Sequence, residues 1–398
     1  MKVDKTKWKY TRLDNLVHIL NGFAFKSDCY CQKGIRVIRI TNVQDGYIED
    51  TDPKFYPVSY SNELSKYILH ENDLLISLTG NVGRVAFLPQ EMLPAALNQR
   101  VACIRSQNST TISLEFLYFF MMNKTFKDDC IKSSKGVAQL NMSTEWLKSY
   151  IIPIPPHIEQ QAIAAELNAI QTMIDGYKAQ IADLDALAQS IFLDMFGDPV
   201  TNPKGWEIMK IGEISEVTSS KRIYQSEQTK SGIPFYKISD FPNLIEYGYS
   251  DTGIFISQAK YEELKSQKLV PNESDLLITS RGTLGLCYIV KDEDCFYFQD
   301  GMITWLKNLK STVLSAFLGF MFQSSLFKNQ IEKAQNGSTI AYLSIAMIRK
   351  FDMIVPPIKL QQHFVSQVEA IEKQKELIRD QLAETETLMA ERMQYYFS

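Results

Sequence analysis

Ile151-Ile152-Pro153-Ile154-Pro155-Pro156-His157-Ile158-Glu159-Gln160-Gln161 returns as Met353-Ile354-Val355-Pro356-Pro357-Ile358-Lys359-Leu360-Gln361-Gln362, with Pro155 falling on Pro356 and Gln160 on Gln361, an offset of 201. A chain that states one segment twice is a tandem of two equivalent units, so the repeat sets the domain count before any propensity is read. With 398 residues, each unit is long enough to bury a core of its own.

Downstream of each proline motif the apolar spacing becomes that of a long helix. Ile163, Leu167, Ile170, Ile174, Tyr177, Ile181, Leu184, Ala188, Ile191 and Met195 alternate steps of four and three without a slip, which is a sustained heptad seam. Adding 201 gives Phe364, Val368, Ile371, Lys375, Ile378, Leu382, Thr385, Met389, Arg392 and Tyr396, the same register weakened by three polar residues. The proline pairs suit a first helical turn, and Phe196-Gly197-Asp198-Pro199 is a glycine stop followed by proline. From Ile163 to Met195 such a helix spans roughly 50 Å, the length of a ruler. A seam this narrow favours pairing of the two helices over each capping its own globular part, and antiparallel pairing fits the chain path.

Upstream the copies match in blocks. Each opens on a tryptophan, Trp8 or Trp206, followed by a glycine-led strand, Gly34-Ile35-Arg36-Val37-Ile38-Arg39-Ile40 or Gly232-Ile233-Pro234-Phe235-Tyr236-Lys237-Ile238. The best match is Asn72-Asp73-Leu74-Leu75-Ile76-Ser77-Leu78-Thr79-Gly80-Asn81-Val82-Gly83-Arg84 against Ser274-Asp275-Leu276-Leu277-Ile278-Thr279-Ser280-Arg281-Gly282-Thr283-Leu284-Gly285-Leu286, read as strand, glycine turn, strand. The paired glycines suit a structural hairpin; a phosphate loop would need the Gly-Lys-Ser/Thr ending that neither copy has. A short apolar helix follows, Phe116 to Met122 or Phe317 to Phe322, whose contiguous aromatics read as core. Polar glycine loops, Ser133 to Gln139 and Gln335 to Ile340, then lead to the proline motif, where recognition residues tend to lie. Between these anchors the copies diverge: residues 26–30 have no clear counterpart in 219–223, and 41–70 resemble 239–272 only in outline. Two modules of one fold tuned to different targets would look like this.

The formal net charge of −4 is unevenly spread: +4 over residues 1–152, −6 over 153–199, zero over 200–353 and −2 over 354–398. The acid is concentrated on the helical segments, which leaves the globular parts free to meet a polyanion, although only the first is positively biased. Nothing approaches the ~18 consecutive apolar residues of a membrane helix, and no apolar signal region follows Met1, so a soluble, cytoplasmic protein is expected. Six cysteines are too few for a disulfide scaffold, and Cys29 with Cys31 lacks a zinc spacing. Neither the four histidines nor any glycine, serine or Asn-Pro-Pro-Tyr type motif marks a metal or catalytic centre, which favours binding over catalysis.

In this order, the tryptophan-led units, the Asp-Leu-Leu-Ile glycine hairpin, the Pro-Pro and Gln-Gln motif running into a heptad helix, and Phe196-Gly197-Asp198-Pro199 before Trp206 resemble the specificity (S) subunit of type I restriction-modification systems over essentially the whole chain. The resemblance implies an α/β (α+β) fold with a pseudo-twofold internal repeat. Target-recognition domains occupy residues 1–152 and 198–353, with antiparallel coiled-coil spacer helices at 153–197 and 354–398. It implies a non-catalytic DNA-binding subunit of a restriction system whose two domains each read half of a bipartite double-stranded target. The coiled coil sets the spacing and docks two methyltransferase (M) subunits, with endonuclease/translocase (R) subunits joining them. S-adenosylmethionine, ATP and Mg²⁺ would then belong to partner subunits, and DNA methylation to the complex. Phosphate contacts need Lys or Arg, and base reading needs Arg, Lys, Asn or Gln on projecting loops. The candidates are Lys26, Arg84, Arg100, Lys135, Lys221, Arg222, Arg281 and Asn336. The competing reading is a tandem scaffold that binds protein or carbohydrate and oligomerises through its coils.

Overall fold

A computed structural model describes residues 3–134, 140–335 and 342–397. They form two compact units, one of Met1–Ala179 with Ile378–Ser398 and the other of Gln180–Leu377. The long helices run from His157–Phe196 and from Ile358–Phe397, 40 residues each and in step with the sequence repeat. Their starts follow from the proline pairs: the carbonyl of Pro156 accepts from the amides of Glu159 and Gln160, and that of Pro357 from Leu360 and Gln361. The first helix stops where Gly197, at φ +77°, turns left-handed and donates to the Leu193 carbonyl.

The strand order is the same in both units. In the first, a four-stranded antiparallel sheet runs Val17–Asn21, Val101–Ser106, Leu74–Ser77, Val85–Phe87; in the second the order is Glu216–Thr218, Ile303–Lys307, Leu276–Thr279, Cys287–Ile289. A smaller sheet beside it pairs Ile35–Ile38 parallel to Ala95–Leu97, matched by Ile233–Tyr236 with Tyr297–Phe298. Finally Lys9–Arg12 pairs antiparallel with Ile151–Ile154, and Glu207–Lys210 with Asp352–Val355. The repeated motif therefore enters as a strand that closes its unit and leaves as a helix.

The Asp-Leu-Leu-Ile block reads as an unbroken apolar run because both faces of that strand are covered. Leu74 and Ile76 sit in one buried cluster and Leu75 in another, and Leu276, Ile278 and Leu277 divide in the same way. The aspartate fastens the preceding turn, where Asn72 and Ser274 lie at φ +61° and +68°. Asp73 accepts from the His70 amide at 2.7 Å and from both ends of the Arg105 guanidinium at 2.7 and 2.6 Å. Asp275 accepts from the Asn272 amide and the Trp305 indole, each at 2.9 Å.

Gln160 and Gln361 are fully buried. Gln160 Oε1 accepts the Ser113 amide at 2.9 Å, while Nε2 donates to the carbonyls of Thr111 at 3.0 Å and Pro155 at 2.9 Å. Gln361 repeats the clamp on the Leu314 amide at 3.0 Å, Thr312 at 2.8 Å and Pro356 at 2.7 Å. Each glutamine ties the first turn of its long helix to the segment that starts the apolar helix of the same unit, Leu114–Met122 or Ser315–Phe322.

Helix pairing and packing on the globular parts, alternatives in the sequence, are both present in the structure. In the first unit Phe116 and Phe120 meet Phe397 at 5.6 and 5.7 Å, and in the second Phe320 meets Phe192 at 5.3 Å and Phe364 at 4.9 Å. Within each unit the helices run antiparallel: Glu166 faces Arg392 and Lys178 faces Glu386 in the first, Asp185 faces Lys375 and Phe192 faces Phe364 in the second. Ile163, Leu167, Ile170, Ile174, Phe364, Ile371 and Ile378 are buried; Tyr177, Ile181, Leu184, Val368 and Leu382 are partly covered.

The polar seam residues each have a local solution. Lys375 buries its stem and reaches Asp185 at 2.6 Å and Glu372 at 2.8 Å. The Thr385 hydroxyl donates to the Gln381 carbonyl at 2.7 Å. Arg392 Nε bonds Glu166 Oε1 at 2.5 Å, and the Tyr396 hydroxyl donates to Glu166 Oε2 at 2.8 Å. Burial pushes the Glu166 carboxyl up, but the hydrogen bonds it accepts, those from Arg392 and Tyr396 among them, outweigh burial and hold it at about 2. A carboxyl lowered by folding stabilises above its ordinary value of 4.5, and that contribution is lost as pH falls from there toward about 2. Acid unfolding followed by circular dichroism should therefore show a stability loss in this window that Glu166→Gln flattens; an unchanged pH profile in the variant would refute the assignment.

Candidate nucleic-acid interface

In each unit three connections meet at one end of the four-stranded sheet. The first leaves the outer strand: residues 22–26 in the first unit and 219–222 in the second. The second precedes the neighbouring strand, at 98–100 or 299–302. The third is the glycine turn, 79–84 or 280–286. Residues 26–30 have no clear counterpart in 219–223 as sequence, yet strand order makes 22–26 and 219–222 equivalent.

In the first unit these connections are bound by main chain. The Phe23 amide donates to the Leu97 carbonyl at 2.8 Å, the Gln99 amide to Phe23 at 3.0 Å, and the Leu78 amide to Arg100 at 2.9 Å. The approach is so close at Gly22 that a Cβ there would lie 2.2 Å from the Asn98 carbonyl carbon and oxygen. Lys26 and Arg100 are exposed on this cluster.

Arg84 stands apart. It is half-buried, its guanidinium donates to Gln44 Oε1, and it lines a cavity of about 230 Å³ together with Asp45 and Lys127, which pair at 2.9 Å. The structure engages this arginine inside the unit, unlike the exposed Lys26 and Arg100. The glycines beside it are structural: Gly83 lies at φ +81° with Cys130 Sγ 3.0 Å from where its Cβ would be, and Gly285, at φ +79°, meets Ile331 Cδ1 at 2.7 Å. The Ser77 hydroxyl closes the turn on the Asn81 carbonyl, and the Thr279 hydroxyl closes its counterpart on Thr283.

In the second unit Lys221 is exposed while its backbone is pinned, with its amide donating to the buried Tyr297 hydroxyl at 2.8 Å. Arg222 extends into solvent but its Nε is bonded to Asp300 at 2.8 Å. Arg281 is exposed with its guanidinium 6.0 Å from the centre of the Tyr342 ring. Lys135 and Asn336 lie outside the described residues. Exposed Asn81, Gln99 and Asn141 in the first unit, and Tyr342 in the second, join these clusters unforeseen. Asn81 stands on the glycine turn itself, whereas Gln99, Asn141 and Tyr342 reach the sheet end only by pairing with segments distant in the chain.

The arrangement offers cations, amides and aromatic faces on rigid turns, the groups that contact phosphates and base edges. Among the described residues no group of three or more His, Cys, Asp and Glu side chains could hold a metal ion, and no helix is long and apolar enough to cross a membrane. All six cysteines are free, and burial pushes the thiols of Cys130 and Cys287 up to about 12.

Comparison with known proteins agrees with this layout. The family model for the type I restriction modification DNA specificity domain matches residues 5–185 and again 203–387. The EcoAI specificity subunit of Escherichia coli is 30% identical over 167 residues, 41% of this chain and 28% of that subunit. The EcoBI specificity subunit of Escherichia coli is 22% identical over 396 residues, 92% of this chain and 79% of that one. The S subunit of a type I restriction-modification system from M. genitalium shares the fold, with a TM-score of 0.60 at 15% identity, covering 99% of this chain and 97% of that one. Matched twice over by the domain model, the chain belongs to the type I restriction-modification specificity (S) subunit family.

Proposed function

We propose that each unit reads one half of a bipartite, asymmetric duplex through its cluster of three connections, and that the paired helices set the half-site spacing. In this reading they also dock two methyltransferase subunits, which endonuclease/translocase subunits join. The observation that carries it is the equivalence of the two clusters in strand order combined with their difference in chemistry. Lys26 and Arg100 stand on one; Lys221, Arg222, Arg281 and Tyr342 stand on the other. This chain supplies recognition, and S-adenosylmethionine, ATP and Mg²⁺ chemistry is assigned to the partner subunits.

The test is selection of bound duplexes from a randomised pool by the full chain assembled with its methyltransferase subunits. A motif of two fixed halves around a constant gap is expected. Phosphate contacts from Lys26 and Lys221 alone would make affinity fall about 10-fold between 50 and 200 mM salt, from a slope near −0.9 per neutralised phosphate, and each further phosphate contact steepens the fall. Enrichment of no motif, with affinity indifferent to salt and competitor DNA, would favour a tandem scaffold instead.

A further inference from the structure

We propose that Arg281, braced by Tyr342, reads a guanine in the half-site bound by the second unit, and that this position is where the specificities of the two units part. The proposal rests on the DNA-reading function above and adds a base-reading residue to it.

Arg281 follows the central strand Leu276–Thr279 at the mouth of the glycine turn and forms an isolated antiparallel bridge with Tyr342. The position of Tyr342 is narrowly defined. Its amide donates to Gln335 Oε1 at 2.9 Å, its carbonyl accepts from Gln335 Nε2 at 2.8 Å, and the next amide, of Leu343, donates to the Ser280 carbonyl at 2.9 Å. The guanidinium lies by the ring of this fixed tyrosine, which is 41% exposed. An aromatic neighbour orients the guanidinium plane through its face and leaves the edge donors open. An open, oriented fork matches the O6 and N7 acceptors of guanine in the major groove.

The other cations of this cluster are placed differently. Arg222 already gives its Nε to Asp300. Lys221 is a point charge without a fork, suited to phosphate rather than to one base. Arg281 forms no ion pair among the described residues.

At the same place in the first unit Thr79 bridges Asn141, with the hydroxyl 3.4 Å from Asn141 Oδ1, and the Met142 amide donates to Leu78 at 2.8 Å. The backbone arrangement is retained and the cation is gone. It has moved one connection away: the bond from Leu78 to the Arg100 carbonyl has its counterpart between Ser280 and Met302, so the first unit carries arginine where the second carries methionine. Two units that place an open guanidinium on different connections of a common frame would demand guanine at different places.

The experiment compares the wild-type chain, Arg281→Ala and Arg281→Lys, each assembled with the methyltransferase subunits, by sequencing duplexes selected from a randomised pool at two salt concentrations. The wild type is expected to require a G:C pair at a position of one half-site where both variants lose discrimination by roughly 5- to 150-fold, the other half-site staying unchanged. Lysine should fail like alanine, since it restores the charge and not the fork. Arg281 is exposed, so unfolding midpoints should match the wild type and exclude misfolding as the cause. A bipartite motif that stays intact in both variants, with affinity lowered evenly or not at all, would overturn the base-reading role while leaving the DNA-reading function standing. No motif with the wild-type chain would remove that function itself.

Discussion

Gln160→Leu should destabilise the first unit by about 3 kcal/mol, and Gln361→Leu the second by a similar amount, because each change strips partners from three polar groups at a cost of about 1–3 kcal/mol apiece when buried. The Ser113 amide and the carbonyls of Thr111 and Pro155 lose their bonds together in the first unit. The added apolar surface of leucine returns part of this, which keeps the net near the lower end of the sum. The adjacent glutamines, Gln161 and Gln362, are exposed, so Gln161→Leu should change stability by less than about 0.5 kcal/mol. Urea unfolding would measure the difference, and hydrogen exchange at Ser113 would localise it. A loss under about 1 kcal/mol for Gln160→Leu would mean that the three groups find other partners and that the clamp is not what fastens helix to unit.

Gly22→Ala is expected to cost about 3 kcal/mol and to impair reading of the first half-site while sparing the second. The added methyl would stand 2.2 Å from the Asn98 carbonyl carbon and oxygen and 2.5 Å from the Leu97 carbonyl oxygen. These are backbone atoms of a paired segment, so no rotamer change relieves the clash; the two connections must separate. They carry Lys26 and Arg100, and parting them displaces both cations from the positions their turns define. Alanine is among the smallest changes available, so the consequence is attributable to position rather than to lost chemistry. Thermal unfolding and selection of bound duplexes would measure both effects. Wild-type stability together with an unaltered first half-site would show that the close approach is not needed.

Much of the architecture is legible before folding. The repeat, the glycine hairpins, the heptad register and the helix ends at Pro156, Gly197 and Pro357 all follow from local rules: a period, a residue lacking an amide hydrogen, a residue tolerant of positive φ. Even the polar seam positions Lys375, Thr385 and Arg392 are visible as departures from the pattern. Their solutions are not, because Asp185 lies 190 positions from Lys375 and Glu166 lies 226 from Arg392.

The candidate site was legible in kind and not in place. Arg84 and Arg281 stand beside equivalent glycine turns and look alike in sequence, yet the fold turns one inward onto Gln44 and leaves the other beside Tyr342. Arg222 carries the charge a DNA contact needs, but Asp300, distant in the chain, holds it. Gln160 and Gln361 were plain as half of the motif that revealed the repeat, and their burial was not: one glutamine of each pair points into the core and the next into water.

By itself the sequence determined that there are two units, that each ends in a long helix, and that a glycine hairpin stands between apolar strands, since periodicity and chain-breaking residues act over a few neighbours. Only the tertiary structure decided which connections converge, which arginines remain open to a ligand and what the repeated glutamine holds. Those contacts depend on strand order between segments tens to hundreds of residues apart, for which the local sequence carries no signal.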